Sequence, residues 1–130
     1  MKIEHIGICV DEPISMGIWY RDNLGFEIIR ADGDDTFGVS FLRDRKDGTV
    51  IEIAKIPEST ALDIGKQVPL QFHIAIDCED PQSEADRLLS AGAEWIGESL
   101  YNSYPGEKLL LRDPWGYTIQ LLNRQTTLQN

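Results

Sequence analysis

Hydrophobic and polar residues alternate through the first ten residues of the chain, as in a strand with one buried face. Ile6, Ile8 and Val10 are the apolar set and are expected to face a helix, so that His5 points to the other side of the sheet. Beyond Pro13, apolar residues recur at helical spacing, and later stretches alternate again. The pattern predicts a strand at 2–10, a helix at 14–23, and strands at about 26–30, 36–43 and 49–56.

The second half of the chain repeats the first. The segment that begins at His73 resembles the one that begins at His5, 68 residues earlier, and the same offset carries Glu52 onto Gln120. Each half therefore opens on a histidine and closes, 47 residues later, on a carboxylate or its amide. An internal repeat of this kind predicts two similar structural modules. The second half is predicted as a strand at 70–78, a helix at 82–91, and strands at about 94–98, 107–112 and 116–122.

The repeat predicts an α+β fold in which two tandem βαβββ modules make one domain, residues 1–130. Module 1 spans about 2–56 and module 2 about 70–124. Residues 57–69 begin and end with proline and show no sustained period, which is typical of a linker. Residues 99–106 are predicted to form a longer loop, which is either a pocket wall or a plain exposed turn.

Composition and charge narrow the function classes. The chain is 42% hydrophobic and 26% charged, and no apolar run approaches the roughly 20 residues of a membrane span. The N-terminus lacks the pattern of a signal peptide, so we expect a cytoplasmic protein. A formal net charge of −10 argues against binding to nucleic acid or to an anionic membrane surface. Cys9 and Cys78 are expected to be buried thiols in a reduced compartment.

Four repeated polar positions carry the candidate chemistry. His5, Glu52, His73 and Gln120 each alternate with apolar neighbours, so each is predicted to leave the helix side of its sheet. If the modules pair about a pseudo-two-fold axis, two imidazoles, one carboxylate and one carboxamide converge. This mixed nitrogen and oxygen set suits a divalent first-row metal ion. A single buried histidine is more often a core residue, but four matched positions favour a metal site.

The same segments resemble the glyoxalase/bleomycin resistance/dioxygenase family, also called the vicinal oxygen chelate superfamily. They are HIGI at 5–8, WY at 19–20, NLGF at 23–26, VIEI at 50–53, HIAI at 73–76 and RDPWGYTIQL at 112–121. The resemblance implies two βαβββ modules that form an incomplete barrel, commonly completed in a homodimer. It also implies metal ligands on the first and last strands of each module, at His5, Glu52, His73 and Gln120.

Glyoxalase I is the family member that the chain resembles in length and ligand positions. The resemblance implies a divalent-metal-dependent lyase or isomerase that abstracts a proton next to a carbonyl through a metal-stabilised enediolate. Gln120 departs from the pattern, because glyoxalase I has a glutamate there and an amide cannot act as a base. The catalytic base is therefore expected to be Glu52. Zinc, nickel, cobalt, manganese and iron all suit this ligand set.

Two other functions stay open. A bleomycin-resistance-type protein would bind a small molecule without catalysis, and its pocket could be lined by Trp19, Trp95, Trp115, Tyr101 and Tyr104. An acyl-CoA epimerase would exchange the glutamine and glutamate between modules, but few basic residues are expected near the pocket to hold a coenzyme A tail. Dioxygenases and thiol transferases of the family require a glutamate in place of the glutamine. We favour an enzyme acting on a small molecule, because a sequestering protein has no need of the four ligand positions.

Overall fold

The structure is a computed structural model that describes residues 1–63, 68–98, 108–124 and 128. In chain order the elements are β1 (Ile6–Cys9), α1 (Pro13–Leu24), β2 (Glu27–Gly33), β3 (Gly38–Arg43), β4 (Val50–Lys55), β5 (Ile74–Asp77), α2 (Pro81–Ser90), β6 (Glu94–Glu98), β7 (Lys108–Arg112) and β8 (Thr118–Leu122). Neither helix of these ranges has the length and apolarity needed to cross a membrane. The predicted loop at 99–106 lies outside the described residues.

The elements form two compact units, Met1–Leu62 and Asp63–Asn130, whose boundary falls within the predicted linker. Each unit has one four-stranded sheet, with strand order β1-β4-β3-β2 in the first and β5-β8-β7-β6 in the second. The first and last strands of each unit pair in parallel, and the remaining neighbours are antiparallel. The predicted α+β fold with two βαβββ modules is confirmed.

One face of the first sheet is covered by α1, which packs chiefly against β3, β2 and β4. The contact is close because α1 presents Gly17, where an added Cβ would lie 3.0 Å from the hydroxyl oxygen of Ser40. That hydroxyl donates a hydrogen bond to the carbonyl oxygen of Pro13 at 3.0 Å, so Ser40 and its neighbour Leu42 point toward the helix. Phe41, which lies between them in β3, points to the opposite face.

The apolar face of β1 is covered less completely than its alternation predicts. Ile8 and Val10 are buried, whereas Ile6, which shares the face of Ile8 in the register of β1 on β4, is 49% exposed. The reason lies in the sheet order. Since β1 is an edge strand and α1 packs over the other three strands, the first residue of β1 is left at the margin of the core.

Both cysteines are free thiols, and both are half-buried instead of fully buried as expected. The thiol of Cys9 donates to the hydroxyl oxygen of Ser59 at 3.2 Å. Burial raises the pKa of the Cys78 thiol, and the negative charges of Glu84 and Asp77 raise it further. The Cys78 thiol is therefore held in its protonated, unreactive form at neutral pH.

The two helices are capped in different ways. In α2 the side chain of the N-cap residue, Asp80, accepts a hydrogen bond from the Ser83 amide at 3.0 Å. In α1 the N-cap residue Glu12 makes no such bond. Instead Asp35, from the turn between β2 and β3, accepts from the amides of Ile14 at 2.8 Å and Ser15 at 2.9 Å, and from the Ser15 hydroxyl. The β2–β3 hairpin is thereby fixed to the helix N-terminus.

Replacing Asp35 by asparagine should lower the free energy of unfolding by about 1 kcal/mol at pH 7, as expected for loss of a charged cap. Burial raises the pKa of Asp35, but hydrogen bonds from the Ser15 hydroxyl and the Ser15 and Ile14 amides outweigh it, so this pKa lies below its usual value. The stabilisation is therefore complete above the unfolded-state pKa, about 3.9, and is lost as the pH falls through the lower folded-state pKa.

Urea unfolding between pH 7 and pH 2 measures this effect. The difference in free energy of unfolding between wild type and Asp35→Asn should become smaller toward pH 2. The matched control is Asp32→Asn, which removes a carboxylate from the exposed part of β2. The capping role would be contradicted if both variants lost the same free energy of unfolding. It would also be contradicted if the loss in Asp35→Asn did not change with pH.

Candidate metal centre

His5 and Glu52 lie side by side in the first unit. His5 immediately precedes β1, and the register of β1 on β4 pairs Gly7 with Glu52. Glu52 also pairs with Phe41, so it lies on the face of the sheet away from α1. The Nε2 atom of His5 is 3.4 Å from the Oε2 atom of Glu52, and these side chains are 37% and 30% exposed. An imidazole nitrogen and a carboxylate oxygen are thus presented together to solvent.

Phe41 packs against His5, whereas Gly7 leaves room beside Glu52. The rings of Phe41 and His5 meet edge to face, with centroids 5.8 Å apart. A Cβ added at Gly7 would lie 3.8 Å from the Oε1 atom of Glu52, which is an ordinary van der Waals contact. Phe41 is not among the residues predicted from the sequence, although its position opposite Glu52 in the hairpin places it on the same face.

The orientation of the His5 ring is set by Glu4. The Nδ1 atom of His5 is hydrogen-bonded to the carboxylate of Glu4, which can only accept, so the proton of a neutral ring sits on Nδ1 and the lone pair on Nε2. The hydrogen bond to Glu4 raises the pKa of His5; burial opposes this, and the negative charges of Glu4 and Glu52 reinforce it. Metal binding through Nε2 would therefore compete with protonation and weaken at acidic pH.

The ring of His73 is oriented by the backbone of the linker. Its Nδ1 atom lies 2.8 Å from the carbonyl oxygen of Pro69, an acceptor only, so here too the lone pair of the neutral ring is on Nε2. The turn that carries this carbonyl is closed by two hydrogen bonds. The Gln71 amide donates to the Val68 carbonyl at 2.9 Å, and the Val68 amide donates to the Gln71 side chain at 3.1 Å.

Gln120 lies in β8, where it pairs with Ala75 on one side and Leu110 on the other. It is half-buried, whereas the other four residues of β8 are buried. His73 lies two residues before Ala75 in the chain, so alternation places it on the same face as Gln120. This alternation would bring a histidine and an amide to one face of the second sheet, and their joint role stays a prediction.

The distance between His5 Nε2 and Glu52 Oε2 suits two ligands of one divalent metal ion. Two ligands bound at about 2.1 Å with tetrahedral or octahedral angles are separated by roughly 3.0–3.4 Å. The His5–Glu52 separation of 3.4 Å agrees with this. In both histidines the second ring nitrogen donates to an oxygen acceptor, as metal-binding histidines usually do.

His5 and Glu52 by themselves supply only two ligands. Among the residues that the structure describes, no group of three or more His, Cys, Asp and Glu side chains could hold a metal ion. The union of His5 and Glu52 with His73 and Gln120 in one centre therefore stays a prediction.

The tryptophans named as candidate pocket walls lie on different elements of the two units. Trp95 pairs with Leu111, on the face of the second sheet away from Gln120, and is 45% exposed. Trp19 lies in α1 with its ring 5.8 Å from that of Tyr20. Trp115 follows β7 and its amide donates to the Asp113 side chain. Tyr101 and Tyr104 lie outside the described residues.

Comparison with known proteins identifies the family of the chain. The sequence profile of the Glyoxalase/Bleomycin resistance protein/Dioxygenase superfamily matches residues 2–121. The chain belongs to this superfamily. Among curated proteins, none matches the sequence. Membership confirms the resemblance inferred from the repeated segments, while the activity within the superfamily is a separate question.

Several solved structures share the fold of this chain. A glyoxalase family protein from Bacillus cereus aligns with a TM-score of 0.74 and 15% identity, covering 95% of this chain and 93% of that one. A mutant glyoxalase I from Zea mays aligns with a TM-score of 0.73 and 20% identity, covering 98% of this chain and 47% of that one. A fosfomycin resistance protein from Listeria monocytogenes, complexed with Mn(II) and sulfate, aligns with a TM-score of 0.69 and 17% identity. The alignment covers 98% of this chain and 92% of that one. At these identities the similarity shows the fold.

We expect both histidines to carry their proton on Nδ1 in the metal-free protein. Long-range proton–nitrogen correlation spectra, recorded at alkaline pH, distinguish the two tautomers. Glu4→Ala should remove the Nδ1–H preference of His5 and leave that of His73 unchanged, because Pro69 holds the second ring through its backbone. An Nε2–H tautomer at either ring of the wild type would contradict the proposed metal-binding orientation of that ring.

Proposed function

We propose that this chain is a divalent-metal-dependent lyase or isomerase that removes a proton next to a carbonyl group of a small molecule, with Glu52 as the base. The observation that carries the proposal is the 3.4 Å separation of His5 Nε2 and Glu52 Oε2, on the exposed face of the first sheet. Superfamily membership supports it, since solved structures with this fold include a glyoxalase I and a fosfomycin resistance protein complexed with Mn(II). A homodimer, which the family resemblance implies, belongs to the same proposal.

The ligand roles follow from the donor atoms. His5 and His73 would bind the ion through Nε2, and Glu52 and Gln120 through side-chain oxygens. A bound divalent ion would supply positive charge that stabilises the negative charge developing on the carbonyl oxygen of the substrate. Gln120 has no carboxylate, so among the four proposed ligands only Glu52 can accept a proton from carbon.

The surroundings of Glu52 suit proton transfer. Its side chain is 30% exposed, so a substrate can reach it, and the ring of Phe41 packs beside His5 on the same face. For an α-hydroxycarbonyl substrate, the carboxylate would take the proton from the hydroxyl-bearing carbon and deliver it to the former carbonyl carbon. The hydroxyl proton would pass to the former carbonyl oxygen, so that the carbonyl and hydroxyl groups exchange places.

Metal content is the direct test of the site. Untagged protein, or protein loaded with zinc, nickel, cobalt or manganese and then dialysed, should hold about one ion per proposed centre in elemental analysis. His5→Ala and His73→Ala should each weaken binding by about 10-fold or more, while Glu58→Gln, which changes an exposed loop residue, should not. Wild-type protein that binds none of these ions would overturn the metal-dependent enzyme and favour a sequestering protein.

The role of Glu52 is tested separately by Glu52→Gln. The amide retains an oxygen that can bind the metal but cannot accept the proton, so turnover should fall by about 10²–10⁴-fold. Activity should be measured on a hemithioacetal and on an acyl-CoA epimer, with metal content determined on the same samples. A variant that holds metal and keeps wild-type turnover would exclude Glu52 as the base.

A further inference from the structure

The second unit carries two cations on the face that bears Gln120. In the pairing of β7 with β8, Lys108 lies opposite Leu122, Leu110 opposite Gln120, and Arg112 opposite Thr118. Residues that face one another in an antiparallel pair share a face, so Lys108 and Arg112 lie diagonally on either side of Gln120. Diagonal neighbours are about 7–8 Å apart at the backbone, which lysine and arginine side chains readily span.

Lys108 is an unusual residue to find on this face. It is only 9% exposed, although lysine is among the residues least often buried. The first unit shows that the fold does not require it, because Val39, which pairs with Ala54, occupies the equivalent place in β3. Arg112, by contrast, has an equivalent in Arg43, which pairs with Val50. The lysine is thus specific to the second unit.

Thr118 provides a second, independent observation. It is 1% exposed, and among the described residues its hydroxyl oxygen has no hydrogen-bond partner. A buried hydroxyl without a partner costs free energy, so such a group needs an explanation such as a bound ion or ligand. It lies opposite Arg112 and two residues from Gln120, on the face that carries the cations. A hydroxyl, an amide and two cations are therefore collected in one patch.

We infer that Lys108, Arg112 and Thr118 form an oxyanion-binding subsite beside Gln120, so that the substrate carries a carboxylate, phosphate or phosphonate group. Lys108 and Arg112 keep their protein partners, such as the Gly116 carbonyl that Arg112 contacts at 3.2 Å. An ammonium has three donor hydrogens and a guanidinium five, so each can add an anionic acceptor.

Two acidic residues, Asp77 and Glu94, share this face with the two cations. Asp77 lies two strands away from Lys108, and its Oδ1 atom accepts from the Arg124 amide at 3.1 Å. Glu94 lies opposite Arg112 on the exposed edge strand. The positions next to Gln120 on β7 and β5 are Leu110 and Ala75, which carry no charge.

The inference that the subsite binds an anionic group of the substrate rests on the proposed function. Anion binding itself can be tested without a metal. Inorganic phosphate and acetate should be titrated into metal-free, nitrogen-15-labelled protein, with the amide signals of β7 and β8 and the Gln120 side-chain signals as the readout. Saturable shifts are expected with at least one of the two anions. Lys108→Met, which keeps the length of the buried chain but removes its charge, should weaken binding by about 10-fold or more.

Two further variants keep the result interpretable if Lys108→Met folds poorly. Lys108→Arg should retain binding. Thr118→Val should weaken binding while leaving the anion-free protein at least as stable as wild type, because it removes an unpartnered hydroxyl.

The matched control is Lys55→Met, which removes the same charge from β4, where Lys55 pairs with Asp11 at 3.2 Å. The inference is overturned if neither anion binds to wild type, or if Lys55→Met and Lys108→Met weaken binding equally. Because metal loading of Lys108→Met is measured separately, loss of the metal site and loss of the subsite give different results.

Discussion

The parallel pairing of the first and last strands in each unit is the constraint on which the candidate site depends. It sets Gly7 opposite Glu52 and Ala75 opposite Gln120, and so brings each histidine to the same face as a residue 47 positions later in the chain. A shift of one residue in the pairing of β1 on β4 would turn Ile8 away from α1 and His5 toward it, whereas Glu52 is held on its face by the pairing of β4 with β3. The loss of apolar burial at Ile8 opposes such a shift.

The repeat supplies the same frame twice, and the two copies then carry different chemistry. The first holds the carboxylate, with His5 at 3.4 Å and Phe41 beside it. The second holds an amide in the matching position and a buried lysine where the first has a valine. Under the proposed function, the half with the carboxylate would move the proton and the half with the lysine would hold the anionic end of the substrate.

The sequence predicted those parts of the fold that depend on local periodicity. Alternating and helical patterns placed the helices within a residue or so and identified the face of Glu52. They could not predict that Ile6 is exposed, because that depends on how far a helix reaches across the sheet. Nor could they predict that Asp35 caps a helix 20 residues away, or that a backbone carbonyl orients His73, because both contacts join segments brought together only by folding.

The charge of the chain illustrates the limit of composition as a guide. A net charge of −10 predicts repulsion of anions at a distance, but it does not exclude a small anionic substrate held by a local cation. Salt screens such a field beyond about 8–10 Å, whereas a cation in direct contact acts through a partly desolvated, low-dielectric environment. Lys108 is such a cation, since it is 9% exposed and adjacent to Gln120 on the same face. An acidic protein can therefore bind an anionic substrate when the geometry of one sheet, and not the total charge, sets the local field.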